Sequence, residues 1–195
     1  MKIFLLRLFY GLGIRYWLAW SKLYQWLYQR GYRKTDPIMQ WSISPEEAQK
    51  RMDGVTWTAD GAKELWDSAG SPMRFQYLLN ELRKGKPQPP GAVDCDDFAF
   101  WSANMVTHSC EPSVLAVAWL DRGGKVRGHV VCCCTSHGPH RTFYHIGNWG
   151  MSGKYLSRQH VVKDVYTRAD GYKLIGWAMI TPGMKLLSTH KDFRK

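Results

Sequence analysis

The apolar pattern changes period twice along the chain, and each change marks a structural boundary. Residues 1–30 carry Phe4, Phe9, Tyr10, Tyr16, Trp17, Trp20, Tyr24, Trp26 and Tyr28 with no proline, which predicts one helix bent at Gly11 and Gly13. A second helix is expected at Ser44-Pro45-Glu46-Glu47, with Ser44 as N-cap, Pro45 at the first helical position and Glu47 closing a capping box; it ends near Asp53-Gly54. A third follows Asp60-Gly61 and carries Leu65 and Trp66. A fourth starts at Ser71-Pro72, buries Phe75, Leu78, Leu79 and Leu82 at i, i+3, i+4 and i+7, and stops at Gly85. The proline-rich run Lys86–Gly91 then leads to a helix that opens at Asp94 or Cys95 and carries Phe98, Ala99, Trp101, Ala103 and Met105.

Beyond that helix the pattern reads as strand. Val114–Leu120 and Val126–Cys134 flank the turn Asp121–Lys125, which predicts a hairpin. Three further strands are expected at Thr142–Ile146, Val161–Tyr166 and Leu174–Thr181. Helices followed by an antiparallel sheet make an α+β domain with the sheet packed on the Cys95 helix.

Length and charge refine the organisation. A chain of 195 residues with 45% hydrophobic content supports one full core and is short for two. We therefore expect an N-terminal helix over 1–34, a globular domain over 40–183 and a basic tail over 184–195. The formal net charge is +11, yet Met1–Lys34 alone holds seven basic residues and no acidic one, leaving 20 basic against 16 acidic residues elsewhere. A basic appendage on a near-neutral domain differs from a uniformly basic nucleic-acid binder, and no zinc finger, RNA-binding block or phosphate loop is present. Arg7 interrupts the first apolar run and no small-residue cleavage site follows, so no removable signal peptide is expected; Arg7, Arg15 and Lys22 likewise leave no uninterrupted span. Their spacing instead fits a helix lying in a membrane interface, or one packing its aromatic side on the domain or on a partner protein. Five cysteines, three of them adjacent, argue against a disulfide framework and for a reducing compartment, cytoplasmic or at a membrane.

Candidate chemistry centres on Cys95. A thiol at a helix N-terminus meets unpaired N–H groups and the positive end of the dipole, while Asp94, Asp96 and Asp97 oppose a further negative charge. A nucleophile there needs a base and an orienting group. His129 stands in an otherwise apolar strand, and Asn148 followed by Trp149 stands at the end of the next one, so the amide can fix the imidazole tautomer under the shelter of the indole. Cys132, Cys133, Cys134, His137, His140 and His145 cluster in sequence, but strand alternation prevents the cysteines from converging on one metal ion, and neither a metal nor another cofactor is expected.

Three blocks, Gly91-Ala92-Val93-Asp94-Cys95-Asp96-Asp97-Phe98-Ala99, Gly128-His129-Val130-Val131 and Gly147-Asn148-Trp149-Gly150, resemble the signatures of the transglutaminase-like cysteine peptidases of the papain-like superfamily, in particular the compact bacterial and phage forms. The resemblance spans residues 55 to 181 in order, with only the three blocks specific. It implies Cys95 as nucleophile, His129 as general base and Asn148 as orienting residue. It also implies an amide substrate in a protein, peptide or peptidoglycan-like polymer, and for a phage protein a virion or host-envelope location. Members usually carry Asp at the third position; Asn148-Trp149 is closer to the papain pattern, and Asp164 is the acidic alternative. The oxyanion would be met by the Cys95 N–H, with Gln88 as the nearest side chain and Trp57 or Gln76 as substitutes; Trp57 and Trp149 would line the substrate site. The competing expectation is a catalytically silent module of the same fold that serves binding or virion structure.

Overall fold

The computed structural model describes residues 2–32, 42–57, 72–88 and 93–189. Among the described residues five helices and five strands follow in order: α1 (Lys2–Tyr32), α2 (Pro45–Met52), α3 (Pro72–Arg83), α4 (Cys95–Met105), β1 (Glu111–Leu120), β2 (Val126–Thr135), β3 (Phe143–Ile146), α5 (Arg158–Arg168), β4 (Lys173–Ile180) and β5 (Leu186–Thr189). The strands form one antiparallel sheet in the order β3-β2-β1-β4-β5.

Helices cover both faces of this sheet. Val114, Ala116, Cys132, Cys134, Ile146, Ala178 and Ile180 point to one side, where they meet α4 together with Ile14 and Leu18 of α1, Ala48 and Met52 of α2, and Phe75 and Leu79 of α3. Leu115, Val117, Trp119, Val131, Cys133, Trp177 and Met179 point to the other, where Val161, Val162 and Val165 of α5 close a second core. Burial on both sides explains why β1 reads as a nearly continuous apolar run rather than an alternating one.

Several ends follow their local chemistry. Ser44 Oγ accepts from the Glu47 N–H at 3.1 Å and Pro45 opens α2, but the Glu47 carboxylate turns to Arg51 at 2.7 Å instead of closing the box. α3 ends before Gly85, whose φ of +77° takes the left-handed conformation that glycine adopts without steric cost. Gly171, between α5 and β4, has no room for a side chain: a Cβ there would lie 2.5 Å from Tyr166 O and 2.8 Å from Trp119 Cδ1.

Two expectations change. Val161–Tyr166 is not a strand but the middle of α5, capped by Ser157, because Val161, Val162 and Val165 share one helical face against the sheet. The segment beyond residue 183 is not only a tail, since Leu186–Thr189 pairs with β4 as the outer strand. α1 runs helically through Gly11 and Gly13 and turns Trp17 inward, its ring 6.0 Å from that of Phe100. The helix expected around Leu65 and Trp66 lies outside the described residues.

Candidate active site

Cys95 is the first residue of α4, and its neighbours shape the helix start. The Asp94 carboxylate accepts from the N–H groups of Asp96 at 3.2 Å and Asp97 at 3.4 Å, so the cap engages the donors one and two residues beyond the thiol. Asp94 and Asp96 are buried. The three carboxylates of Asp94, Asp96 and Asp97 come within 4.8 Å of one another, and among the described residues theirs is the one cluster of ligand atoms close enough for a metal ion. Of the three, Asp94 is committed to holding the helix end. Cys95 is the only partly exposed cysteine; Cys110, Cys132, Cys133 and Cys134 are buried and none of the five is in a disulfide. Burial pushes the Cys133 thiol up to about 12.

His129 sits on β2 opposite Val117 of β1, and its imidazole is buried. The Trp149 indole stacks on it with ring centroids 3.5 Å apart and planes 13° from parallel, leaving the indole 37% exposed as a lid. Trp149 is held by the turn Gly147–Gly150, closed by the Gly150 N–H to Gly147 O at 3.0 Å, with Gly150 at φ +85°. Gln49 of α2 anchors the same turn by accepting from the Gly147 N–H at 3.2 Å and donating to its carbonyl at 3.0 Å.

His129 Nε2 and Asn148 Oδ1 are both sealed from solvent, with no hydrogen-bond partner among the described residues. Burial first and His145 second, against an opposing pull from the Asn148 amide, lower the His129 pKa to about 3. The imidazole is therefore neutral near pH 7. Stability should then fall as pH drops from about 6.5 towards 3, because the unfolded chain takes up a proton that folded His129 refuses. The slope is at most about 1.4 kcal/mol per pH unit for one such group. His145, also shifted down by burial, adds in the same direction. Urea midpoints between pH 6.5 and 5, above the carboxylate range, measure this; a flat profile there would contradict the buried neutral imidazole.

The sheet register bears on how Cys95 and His129 relate. Val130 packs on the α4 side, whereas His129 alternates to the face of Val117 and Val131, which α5 covers. His129 thus lies by alternation on the α5 side of the sheet, while Cys95 begins the helix that packs on the other side. β3 pairs only with residues 132–135 of β2, so at His129 the strand has no β3 partner.

Other candidates separate from this pair. Asp164 does not serve His129: its Oδ2 lies 2.7 Å from His145 Nε2 and 2.7 Å from Arg168 Nε. The Gln88 amide is committed to the backbone of Thr56, accepting from its N–H at 2.9 Å and donating to its carbonyl, which makes it a clasp between two loops. Gln76 accepts from Trp101 Nε1 at 2.9 Å and donates to Asn80, a joint between α3 and α4. Trp57 is exposed. Cys132 and Cys134 point to the α4 side with sulfurs 3.9 Å apart and Cys133 points to the other side, so the cysteine run does not converge. The contact missed from sequence is Gln49 on Gly147, and nothing in the local pattern around residue 49 signals a partner 98 positions away.

Compared with family models, curated proteins and solved structures, the chain matches none. The functional reading therefore rests on the residues themselves.

Proposed function

We propose that the protein is a thiol-dependent acyl-transfer enzyme, a peptidase or amidase when water is the second nucleophile, in which Cys95 attacks an amide carbonyl, His129 is the base and Asn148 orients it. The observation that carries this reading is the buried His129 imidazole stacked against the Trp149 indole, with the Asn148 amide favouring its charged form. A buried imidazole costs stability unless it has a role or a partner.

In the reaction the Cys95 sulfur bonds to the carbonyl carbon as its proton passes to His129, which returns the proton to the leaving amine as the C–N bond breaks. Water then releases the acid from the thioester, or an amine forms a new amide.

The second reading is a catalytically silent module of this architecture. It is favoured by the register that turns His129 to the other face. p-Nitrophenyl acetate separates the two. An enzyme gives a burst of one equivalent of nitrophenolate, an acetyl group on Cys95 by mass spectrometry, and no burst in Cys95→Ala. Acetylation no faster than that of a small free thiol, or a burst that survives Cys95→Ala, refutes the catalytic reading.

A further inference from the structure

α1 is apolar on two sides. Its inner side docks on the domain: Ile14 and Leu18 join the α4-side core, Arg7 Nε donates to Ile175 O at 3.1 Å and Tyr10 Oη to Ala116 O at 3.0 Å. Its outer side presents Phe4, Leu5, Leu8, Phe9, Leu12 and Tyr16, spaced as one helical face; Phe4 is 69% exposed, Phe9 65%, Tyr16 63%, Leu12 58% and Leu8 52%. Exposed large apolar side chains in such a row mark an interaction surface.

We propose that this outer face lies on an anionic lipid bilayer, with the helix parallel to the membrane plane. Charge selects the occupant. Met1–Lys34 holds seven basic residues and no acidic one, and on the helix Arg15 and Lys22 border the apolar row, where they reach headgroups while the side chains of the row enter the acyl boundary. Aromatic residues at Phe4, Phe9 and Tyr16 suit that boundary. A second copy of the chain fits worse, because two α1 helices face to face would bring basic borders together with no acidic residue in either segment to answer them. Spanning is not the geometry: among the described residues no helix is long and apolar enough to cross a membrane.

Co-sedimentation of the full chain with phosphatidylcholine vesicles, with and without about 30 mol% phosphatidylglycerol, tests this. The protein should pellet with the anionic vesicles, less with the neutral ones, and less again in high salt. The double variant Leu8→Glu/Leu12→Glu, altered only at exposed positions, should lose binding on the order of tenfold or more while keeping its thermal midpoint. Arg15→Gln/Lys22→Gln should weaken binding to anionic vesicles alone. The proposal is overturned if the wild type stays in the supernatant or if Leu8→Glu/Leu12→Glu binds as the wild type does. It is equally overturned if light scattering shows a dimer that this variant dissociates without any vesicle binding.

Discussion

Alkylation of Cys95 by iodoacetamide at pH 7 should slow about 100-fold in His129→Ala, the lower end of what a positioned general base contributes. The prediction follows from the resting charges. Burial holds His129 neutral at rest, ready to accept a proton. The proton has to move as the sulfur bonds to carbon, and removing its acceptor raises that barrier directly. The labelling is easy to read because the other four cysteines are buried, and a singly modified protein reports Cys95. Asn148→Ala should give a smaller loss, with the far-ultraviolet spectrum of each variant confirming the fold. A His129→Ala rate within about threefold of the wild type would mean that the imidazole on the α5 face does not reach the thiol.

Trp101→Ala should cost about 3–5 kcal/mol of unfolding free energy, a large part of what a domain of this size possesses. Trp101 is fully buried, its ring centroid lies 5.2 Å from that of Phe75, and its Nε1 donates to Gln76 Oε1. Truncation opens a cavity between α3 and α4 and strands the Gln76 acceptor, two penalties in one substitution. Trp101→Phe keeps most of the volume and should lose only the hydrogen-bond share, about 1–3 kcal/mol. Urea titrations of the three proteins decide this; a Trp101→Ala loss below about 1 kcal/mol would show that α3 is not joined to α4 through this ring.

How much of this was legible depends on whether the cause is local. The start of α2 is written in Ser44-Pro45, and the start of α4 in the contrast between Pro89-Pro90-Gly91 and the apolar run after Cys95, so both are readable. α5 was misread as a strand because valine at 161, 162 and 165 favours β structure in isolation, while Ser157 and the Asp164–Arg168 pair at i, i+4 were the helical signals to weigh against it. β5 is four residues long and forms only because β4 offers an edge. For the site, residue types could be chosen from sequence but pairings could not. Asp164 sits on a helical turn facing β3, so it meets His145, and the choice between the two sheet faces for His129 depends on one residue of register between β1 and β2.

The docking of α1 has a consequence for synthesis. Its hydrogen bond to Ile175 closes a separation of 168 residues and that to Ala116 one of 106, so the helix leaves the ribosome well before the strands that receive it. At about 5–20 residues per second the wait for β4 is on the order of ten to thirty seconds, during which both apolar sides of α1 lack the sheet that later covers one of them. A chaperone or a lipid surface able to take up such a helix meets it before the sheet exists, so the first partner of α1 is chosen during translation and the domain folds against a helix already in place.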